Sequence, residues 1–220
     1  CNWMCPARRP GYTDQWLVPA LAEFAQMYPV ASIHHDYVRY PGDVAPDTYC
    51  FCDYCIENIA RWAGYTSNAF PDEPFLHELY DRPFLESHWE QSPRVLPAAW
   101  SRWDRSTKAR FLLDGSFFQG GRGDLDYFFY TFRVEAILGF VREAAAAVRR
   151  VRPGTKLSAA VFKNPVHSGR FIGQDWRRFS PYVDILIPMD YRDHFPGSFE
   201  EYPALLAEAI SRQQDWAAEF

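Results

Sequence analysis

Helical and strand-like spacings of apolar residues alternate along the chain. Apolar positions recur at helical spacing over residues 13–27, which predicts an amphipathic helix with Thr13 as its cap and Pro29 as its stop. Residues 1–6, before it, predict the end of a strand that runs into a loop. The run VASIHHDYVRY, after it, predicts a buried strand over residues 30–40 that a Pro-Gly pair ends.

The second half of the chain repeats this alternation with clearer signals. A stripe of apolar residues predicts a long helix over residues 125–152, which another Pro-Gly pair ends. Strands are predicted at TKLSAAVF, residues 155–162, and at VDILIPMDYRD, residues 183–193. A turn with a short helix over residues 173–182 separates the two strands, and a final helix covers residues 198–216.

The middle of the chain, residues 43–123, has no sustained periodicity and is rich in proline, tryptophan and aspartate. It predicts a long irregular loop insertion, with one short helix near CIENIARWAG and another around SRWDRSTKARFLLD. A loop of this length inside a compact domain usually carries a function or acts as a lid.

Alternating strands and helices predict parallel strands joined by crossover helices, in either a doubly wound sheet or a (β/α)8 barrel. No glycine-rich phosphate loop or dinucleotide fingerprint supports the doubly wound sheet. The predicted strands end instead in the clusters HHDYVRY, FKNPVH and MDYRDH, and barrel enzymes place their chemistry at the carboxyl ends of strands. We therefore expect a single α/β domain over residues 1–220, an incomplete (β/α)8 TIM barrel with about four of its eight strands.

Charge and composition bear on the partners. The formal net charge is −5 over 220 residues, whereas nucleic-acid binding needs a basic surface. No apolar run approaches the roughly 18 residues of a membrane span. We expect neither a nucleic-acid nor a membrane partner. Aromatic residues make up 18% of the chain, and their rings either fill the core or line a cleft that stacks on sugars.

The chain starts at Cys1, without an initiator methionine or a signal-peptide pattern. We expect it to be a piece of a longer protein. The sequence assigns neither its compartment nor its oligomeric state.

Cys50, Cys52 and Cys55 form the pattern C-x-C-x-x-C. These three thiols cannot all pair with one another as disulfides, but they suit a tetrahedral zinc ion with Zn–S distances of about 2.3 Å. Cys5 or Cys1 would supply the fourth ligand. We expect a structural zinc ion that pins the loop after the HHDYVRY strand, and no organic cofactor. Free thiols, or disulfides that leave one cysteine over, are the alternatives.

Several motifs resemble those of known glycosidases. CFCDYC, followed by a helix and preceded by a single cysteine about 45 residues upstream, resembles the zinc-cysteine cluster of glycoside hydrolase family 42 β-galactosidases, which are (β/α)8 barrels. HHDYVRYPG, Phe132-Arg133, GQDW and VDILIPMDY more closely resemble a group of uncharacterised family-10-like glycosyl hydrolase barrels. The resemblance implies cleavage of glycosidic bonds in a poly- or oligosaccharide. The chain departs from family 42 at His35-Asp36, where those enzymes have an Asn-Glu acid/base pair.

Alternation along the strand places His34 and Asp36 on the face opposite Ile33 and His35. If Ile33 packs against the outer helices, His34 and Asp36 face the barrel mouth. Asp36 is our first candidate for a catalytic group, because glycoside hydrolysis uses two carboxylates as acid/base or nucleophile. Arg39 would keep Asp36 ionised, bind a substrate carboxylate, or form a structural ion pair that only ties off the strand.

Asp190, at the end of a buried run, is our candidate for the second carboxylate. Asp193 and Asp175 are the alternatives, although Asp175 also suits a cap for the short helix that begins at Trp176. His167 and His194 are expected at the rim. The candidate substrate-binding residues share a position at strand ends: His34, Tyr37, Arg39, Lys163, Asn164 and Tyr191.

Two other functions fit the same residues. In a metal-dependent hydrolase, His34, Asp36 and His194 would bind a metal whose bound water attacks the substrate. A barrel that binds carbohydrate without cleaving it is the other alternative. Serine-hydrolase chemistry has no support, because the chain has no G-x-S-x-G elbow.

Overall fold

The computed structural model describes residues 4–42, 50–62, 65–66, 94–113 and 124–218. Its strands are β1 (Ser32–His35), β2 (Tyr65–Thr66), β3 (Arg94–Val95), β4 (Lys156–Val161) and β5 (Ile185–Pro188). Its α-helices are α1 (Val18–Met27), α2 (Asp53–Trp62), α3 (Arg105–Leu113), α4 (Asp124–Val151), α5 (Pro165–Ile172), α6 (Trp176–Phe179) and α7 (Tyr202–Ala217). None of the described helices is both long and apolar enough to cross a membrane.

The main sheet has three parallel strands in the order β1-β4-β5. This is also their order in the sequence, so each strand pairs with the next main-sheet strand of the chain. The register aligns His34 with Ser158, and Ser158 with Ile185. β2 and β3 form a separate two-stranded parallel ladder. The fold is therefore mixed α/β with parallel strands, as predicted. The described strands do not show a closed barrel.

The two faces of the main sheet differ in burial. On one face Ile33, Leu157 and Val161 are buried, and the ring of His35 contacts Phe140 of α4. Residues aligned in register share a face, so the opposite face carries His34, Ser158 and two isoleucines of β5. Ile185 and Ile187 are 48% and 45% exposed there. The predicted alternation of Ile33 and His35 against His34 is confirmed by this pattern.

The long helix α4 forms the centre of the helical layer. Its buried stripe includes Ile137, Val141 and Val148, and it matches the predicted helix to within one residue at each end. Arg152, just beyond its last residue, donates from Nε to the carbonyl of Ala25 at 2.6 Å. This bond fixes the end of α4 to the end of α1, directly before the chain enters β1.

The strand predicted over residues 30–40 is shorter than expected. It ends at His35, because Tyr37 adopts a left-handed backbone conformation (φ 52°) and Arg39 N–H bonds to the carbonyl of Tyr37 at 2.8 Å. This tight turn uses the backbone groups that a strand would give to a neighbour. Thr13 as a cap was also wrong: it lies inside a π-helical turn, Thr13–Leu17, that runs directly into α1.

Other local predictions held or were corrected. The last strand ends at Pro188, and residues Arg192–His194 form a 3-10 turn instead of continuing it. Helix α5 was missed, because its signal is a Pro after Asn164 in a short polar segment. The two helices predicted in the middle of the chain correspond to α2 and α3. β2, β3 and the 3-10 turn Trp100–Arg102 were not predicted; the rest of residues 43–123 lies mostly outside the described residues.

Candidate functional site

Four cysteines converge between the segment before α1 and the start of α2. The Sγ atoms of Cys5, Cys50, Cys52 and Cys55 all lie within 4.8 Å of one another, and none forms a disulfide. The Cys5–Cys55 and Cys52–Cys5 distances are 3.3 and 3.8 Å. A tetrahedral site with Zn–S bonds of 2.3 Å needs sulfurs about 3.8 Å apart. The donor set therefore fits a metal ion, and Cys5 is the fourth member; Cys1 lies outside the described residues.

The thiols polarise one another strongly. The pKa of Cys52 is lowered, chiefly by its hydrogen bond with Cys5 and then by those with Cys50 and Cys55. The pKa of Cys50 and that of Cys55 are raised, in both cases chiefly by the hydrogen bond with Cys5. The pKa of Cys5 is lowered as well, chiefly by its hydrogen bond with Cys50. Two of the four sulfurs thus give up their protons more readily than the other two, and a metal ion that displaces the remaining protons would relieve this competition.

Aromatic contacts join the cysteine cluster to the loop after β1. Phe51, between two of the cysteines, stacks on Phe129 of α4 with ring centroids 5.3 Å apart. The buried guanidinium of Arg133 lies 5.3 Å from the centroid of Phe129 and 4.3 Å from that of Tyr40. Tyr40 N–H donates to the carbonyl of Ile172 at 2.8 Å. These contacts therefore connect the cysteine cluster, through the core, to the segment that carries the candidate catalytic residues.

His34, Asp36 and Tyr37 are exposed where β1 ends. His34 Nδ1 is 2.9 Å from the hydroxyl oxygen of Ser158 in β4. The Asp36 carboxylate accepts a hydrogen bond from the backbone N–H of Tyr37 at 2.8 Å, which accompanies the left-handed turn at that residue. Arg39 forms no ion pair with Asp36; its guanidinium lies 4.6 Å from the centroid of the Tyr37 ring and 5.0 Å from that of Phe162.

His35 points the other way, into the protein. It is 5% exposed, and its Nε2 has no hydrogen-bond partner among the described residues. Burial, and next the neighbouring His34, lower the pKa of His35 to about 4, so the ring is neutral at pH 7. This residue packs against the helical layer and is not one of the exposed groups at the end of β1.

Gln174 links the ends of β1 and β4, a role that the sequence analysis missed. Its fully buried side chain donates from Nε2 to the carbonyls of Ala160 at 2.9 Å and Val38 at 3.3 Å. Its Oε1 accepts from the backbone N–H of Phe162 at 3.0 Å. The signal was present in the GQDW motif, where a glutamine follows Gly173, a glycine with φ 77°.

Lys163 and Asn164 follow β4 directly. Lys163 donates from Nζ to the backbone carbonyl of His194 and lies 3.6 Å from the centroid of the Phe195 ring. Asn164 accepts from the backbone N–H of His167 at 3.0 Å and thereby caps α5. Its oxygen is occupied by this cap, although its amide NH2 has no bond in the described structure.

The residues after β5 lie at the same end of the sheet as those after β1 and β4. The Asp190 carboxylate is half-buried and accepts from Nε2 of Gln213 in α7 at 3.1 Å. Tyr191 is 58% exposed, and its ring centroid is 5.1 Å from that of His194. Asp193 is exposed. Asp175 caps α6 through the N–H of Arg178 at 3.2 Å, and burial raises its pKa.

Two cavities flank the candidate residues. One, of about 430 Å³, lies beyond β4 and β5 and is lined by Phe162, Lys163, Asn164, His167, Met189 and His194. The other, of about 420 Å³, touches every residue from His34 to Tyr40 as well as residues of α1 and α4. Leu21 of α1 and Ile137 and Phe140 of α4 also line this second cavity, so it lies between the end of β1 and these two helices. The carboxyl ends of all three strands thus border accessible space.

The geometry does not assemble the predicted catalytic metal site. Among the described residues, the four cysteines form the one group of three or more metal-binding side chains. His34 and His194 use their Nδ1 atoms toward Ser158 and the carbonyl of Met189 respectively. Among the described residues, the metal-binding group is therefore the cysteine cluster, and the strand ends do not form one.

A family described as "putative glycosyl hydrolase domain" (DUF4015) matches residues 13–210. No curated protein and no solved structure matches the chain.

Proposed function

The chain belongs to this family of glycosyl hydrolase domains, and on that premise we propose that it hydrolyses glycosidic bonds of a poly- or oligosaccharide at the carboxyl ends of β1, β4 and β5. The matched region, residues 13–210, includes all three strands and every candidate residue that follows them. In parallel α/β folds, this edge of the sheet is where ligands bind.

The position of Asp36 carries the proposal. Its carboxylate is exposed at the end of β1, and its one described partner is the N–H of Tyr37. The left-handed conformation of Tyr37 costs about 1 kcal/mol or more for a residue with a Cβ. Such strain is typical of functional sites, and here it presents the Asp36 carboxylate and the Tyr37 ring to solvent. We assign Asp36 the acid/base role and Tyr37 and His34 contacts to the sugar.

Asp190 is the proposed second carboxylate. It follows β5, two strands away from Asp36, and adjacent strands are about 4.8 Å apart. The Gln213 amide holds one oxygen of Asp190 in place.

The same sheet supports a barrel-like winding. Successive main-sheet strands lie side by side, and on one face of the sheet His35 contacts Phe140 of α4. The other face exposes Ile185 and Ile187. A doubly wound sheet would cover both faces with helices, whereas the inner face of a barrel is covered by other strands. We propose that these strands form part of a (β/α)8 barrel.

Zinc is the proposed ion of the cysteine cluster, because four thiolates at tetrahedral spacing are a structural zinc site. Cys5, Cys50, Cys52 and Cys55 would hold it, and bound zinc would supply cross-linking of the loop before α1 to the start of α2. It would take no part in the hydrolysis itself. Through Phe51, Phe129 and Tyr40, the cross-link would stabilise the loop after β1.

A barrel that binds carbohydrate without cleaving it is the second candidate. It is favoured by one observation, the hydrogen bond that directs the Asp190 carboxylate toward Gln213 in α7. If Asp190 stays in that position, Asp36 lacks a partner and hydrolysis would not proceed.

A panel of polysaccharides and aryl glycosides tests the two candidates. Reducing-end release by the wild-type protein is expected on at least one substrate, and it should persist after treatment with a chelator. Binding without any release would favour the non-catalytic barrel. Loss of release at the moment of chelation, while the protein stays folded by circular dichroism, would favour a catalytic metal and contradict the scaffold role of zinc.

A further inference from the structure

We propose that the carbohydrate bound at this edge is an acidic one, whose carboxylates are recognised by Arg39 and Lys163; this inference rests on the proposed function and names its substrate class. The two cations follow neighbouring strands, β1 and β4. The partners of the two cations, and the cavities that the cations line, support the inference.

Arg39 is half-buried, and its charge is not matched by a carboxylate. Its Nη1 donates to the backbone carbonyl of Tyr40 at 3.1 Å, and its guanidinium lies over the rings of Tyr37 and Phe162. Within the described part of the chain, no acidic side chain lies within 4.0 Å of it. The guanidinium keeps free N–H groups in a planar fork, the geometry that binds a carboxylate through two hydrogen bonds.

The charge of Lys163, at the end of β4, is likewise not matched by a carboxylate among the described residues. Its ammonium donates to the carbonyl of His194 and contacts the face of the Phe195 ring. Both partners are neutral, and an ammonium has three donors. By contrast, Arg9 pairs with Glu143, and Lys156 at the opposite end of β4 pairs with Asp184. Two cations at the candidate site are thus held by rings and carbonyls, which position them without cancelling their charge.

Phe162 lies next to both cations in the chain fold. One side of its ring contacts the Arg39 guanidinium, and Phe162 and Lys163 together line the cavity of about 430 Å³. The remaining lining residues include Asn164 and His194 but no carboxylate. A volume of this size is within the usual range for small-ligand sites, roughly 300–1,000 Å³. A sugar unit in this cavity would have Lys163 on its wall, whereas Arg39 lines the cavity of about 420 Å³ together with Asp36. An oligosaccharide that meets both cations would therefore pass from one cavity to the other beside Phe162.

The chemistry of the partner follows from the cost of covering these charges. A neutral sugar would displace water from both cations and return only neutral acceptors, which leaves part of the desolvation cost uncompensated. A carboxylate would return charge-assisted hydrogen bonds, which are stronger than bonds between neutral groups. The overall charge of −5 repels anions at long range, so the local pair of cations is needed for such a substrate to bind.

Matched acidic and neutral oligosaccharides test this inference by isothermal titration calorimetry. The probes are tetrasaccharides of galacturonate, mannuronate and glucuronate, each as the free acid and as its methyl ester. We expect at least one free acid to bind about tenfold tighter than its ester, with an advantage that shrinks as salt rises from about 0.05 M to about 0.5 M. Equal or weaker binding of every acid form would overturn the proposal.

Charge variants identify the responsible residues. Arg39→Gln and Lys163→Gln should each remove most of the preference for the acid, whereas Arg39→Lys should keep part of it. Lys156→Gln, which removes an equal charge at the other end of β4, should leave the preference unchanged. Thermal melting checks that each variant is folded. If Arg39→Gln and Lys163→Gln are folded and retain the full preference, the assignment of these two residues is wrong.

The two proposals fail in different ways. Tight binding of an acid oligosaccharide without any cleavage supports the anion site and contradicts hydrolysis. Cleavage of neutral oligosaccharides, with no preference for acids in binding or in rate, supports hydrolysis and overturns the anion site.

Discussion

The side-chain amide of Gln174 donates a hydrogen bond to the backbone carbonyl of Ala160 at 2.9 Å, inside a fully buried pocket between the ends of two strands. The same side chain bonds to Val38 and Phe162. One residue therefore satisfies three backbone groups, two at the end of β4 and one in the loop that follows β1. The relative position of the two strand ends depends on it.

Replacing this amide should destabilise the fold. Gln174→Leu leaves three buried backbone groups without partners, and we expect the free energy of unfolding to fall by about 3 kcal/mol. Urea denaturation followed by circular dichroism measures the change. Gln214→Leu, on the exposed surface of α7, is the matched control and should shift stability by less than about 0.5 kcal/mol. Equal effects of the two substitutions would contradict the linking role.

A neighbouring glycine should be equally restrictive. Gly173 has φ 77°, and a Cβ built on it would lie 2.9 Å from the carbonyl oxygen of Arg133. Gly173→Ala is therefore expected to lower the melting temperature, with a loss of about 2 kcal/mol. Gly154→Ala has open space around its Cβ and should leave stability nearly unchanged. A stable Gly173→Ala protein would show that this turn can relax.

The burial of His35 predicts a pH dependence of stability. Its pKa is about 4 in the folded protein and about 6.5 in an unfolded chain. Between these values the unfolded chain binds the proton and the folded protein does not, so stability is full above pH 6.5 and falls as the pH drops toward 4. At 1.36 kcal/mol per pH unit the loss is at most about 3 kcal/mol.

His35→Leu isolates this contribution, because other groups titrate in the same range. Urea denaturation of both proteins at pH 7, 5.5 and 4.5 should show a shallower fall for the variant. The wild type and the variant would lose the same amount if His35 were protonated without cost in the folded protein, and that outcome would refute its neutral, buried state.

Metal content should depend on four particular cysteines. We expect about one zinc ion per chain by plasma mass spectrometry of the purified protein. Cys52→Ser should lose most of it and melt at a lower temperature, since the ion would cross-link two segments that are distant in sequence. Cys1→Ser is the control, because Cys5 already completes the described cluster. Zinc that remained in Cys52→Ser but left with Cys1→Ser would contradict the proposed ligand set.

Among the described elements, the sequence indicated every α-helix except α5 and the order of the main-sheet strands, because those depend on local periodicity. The stripe on α4 and the proline that follows it were sufficient to place that helix. Cysteine spacing likewise indicated the cluster, since three of its four members lie within one short segment. Each of these signals is contained in a few neighbouring residues.

What the sequence did not reveal depends on contacts between distant segments. The end of β1 is set by the left-handed turn at Tyr37, a conformation that a tyrosine rarely adopts. Asn164 bonds within its own helix start, and Asp190 bonds to a glutamine of α7. Their roles could not be separated from sugar binding by residue type alone, because the same oxygens suit both.

The most direct test of the central claim compares Asp36→Asn with the wild type on a substrate that the wild type cleaves. The substitution removes the charge and the proton donor while it keeps the size of the side chain. The account predicts that kcat falls at least about a thousandfold, that affinity for the sugar changes little, and that Asp215→Asn on the exposed surface of α7 behaves like the wild type. An Asp36→Asn protein that is folded and retains wild-type kcat would contradict the claim that Asp36 is the catalytic carboxylate.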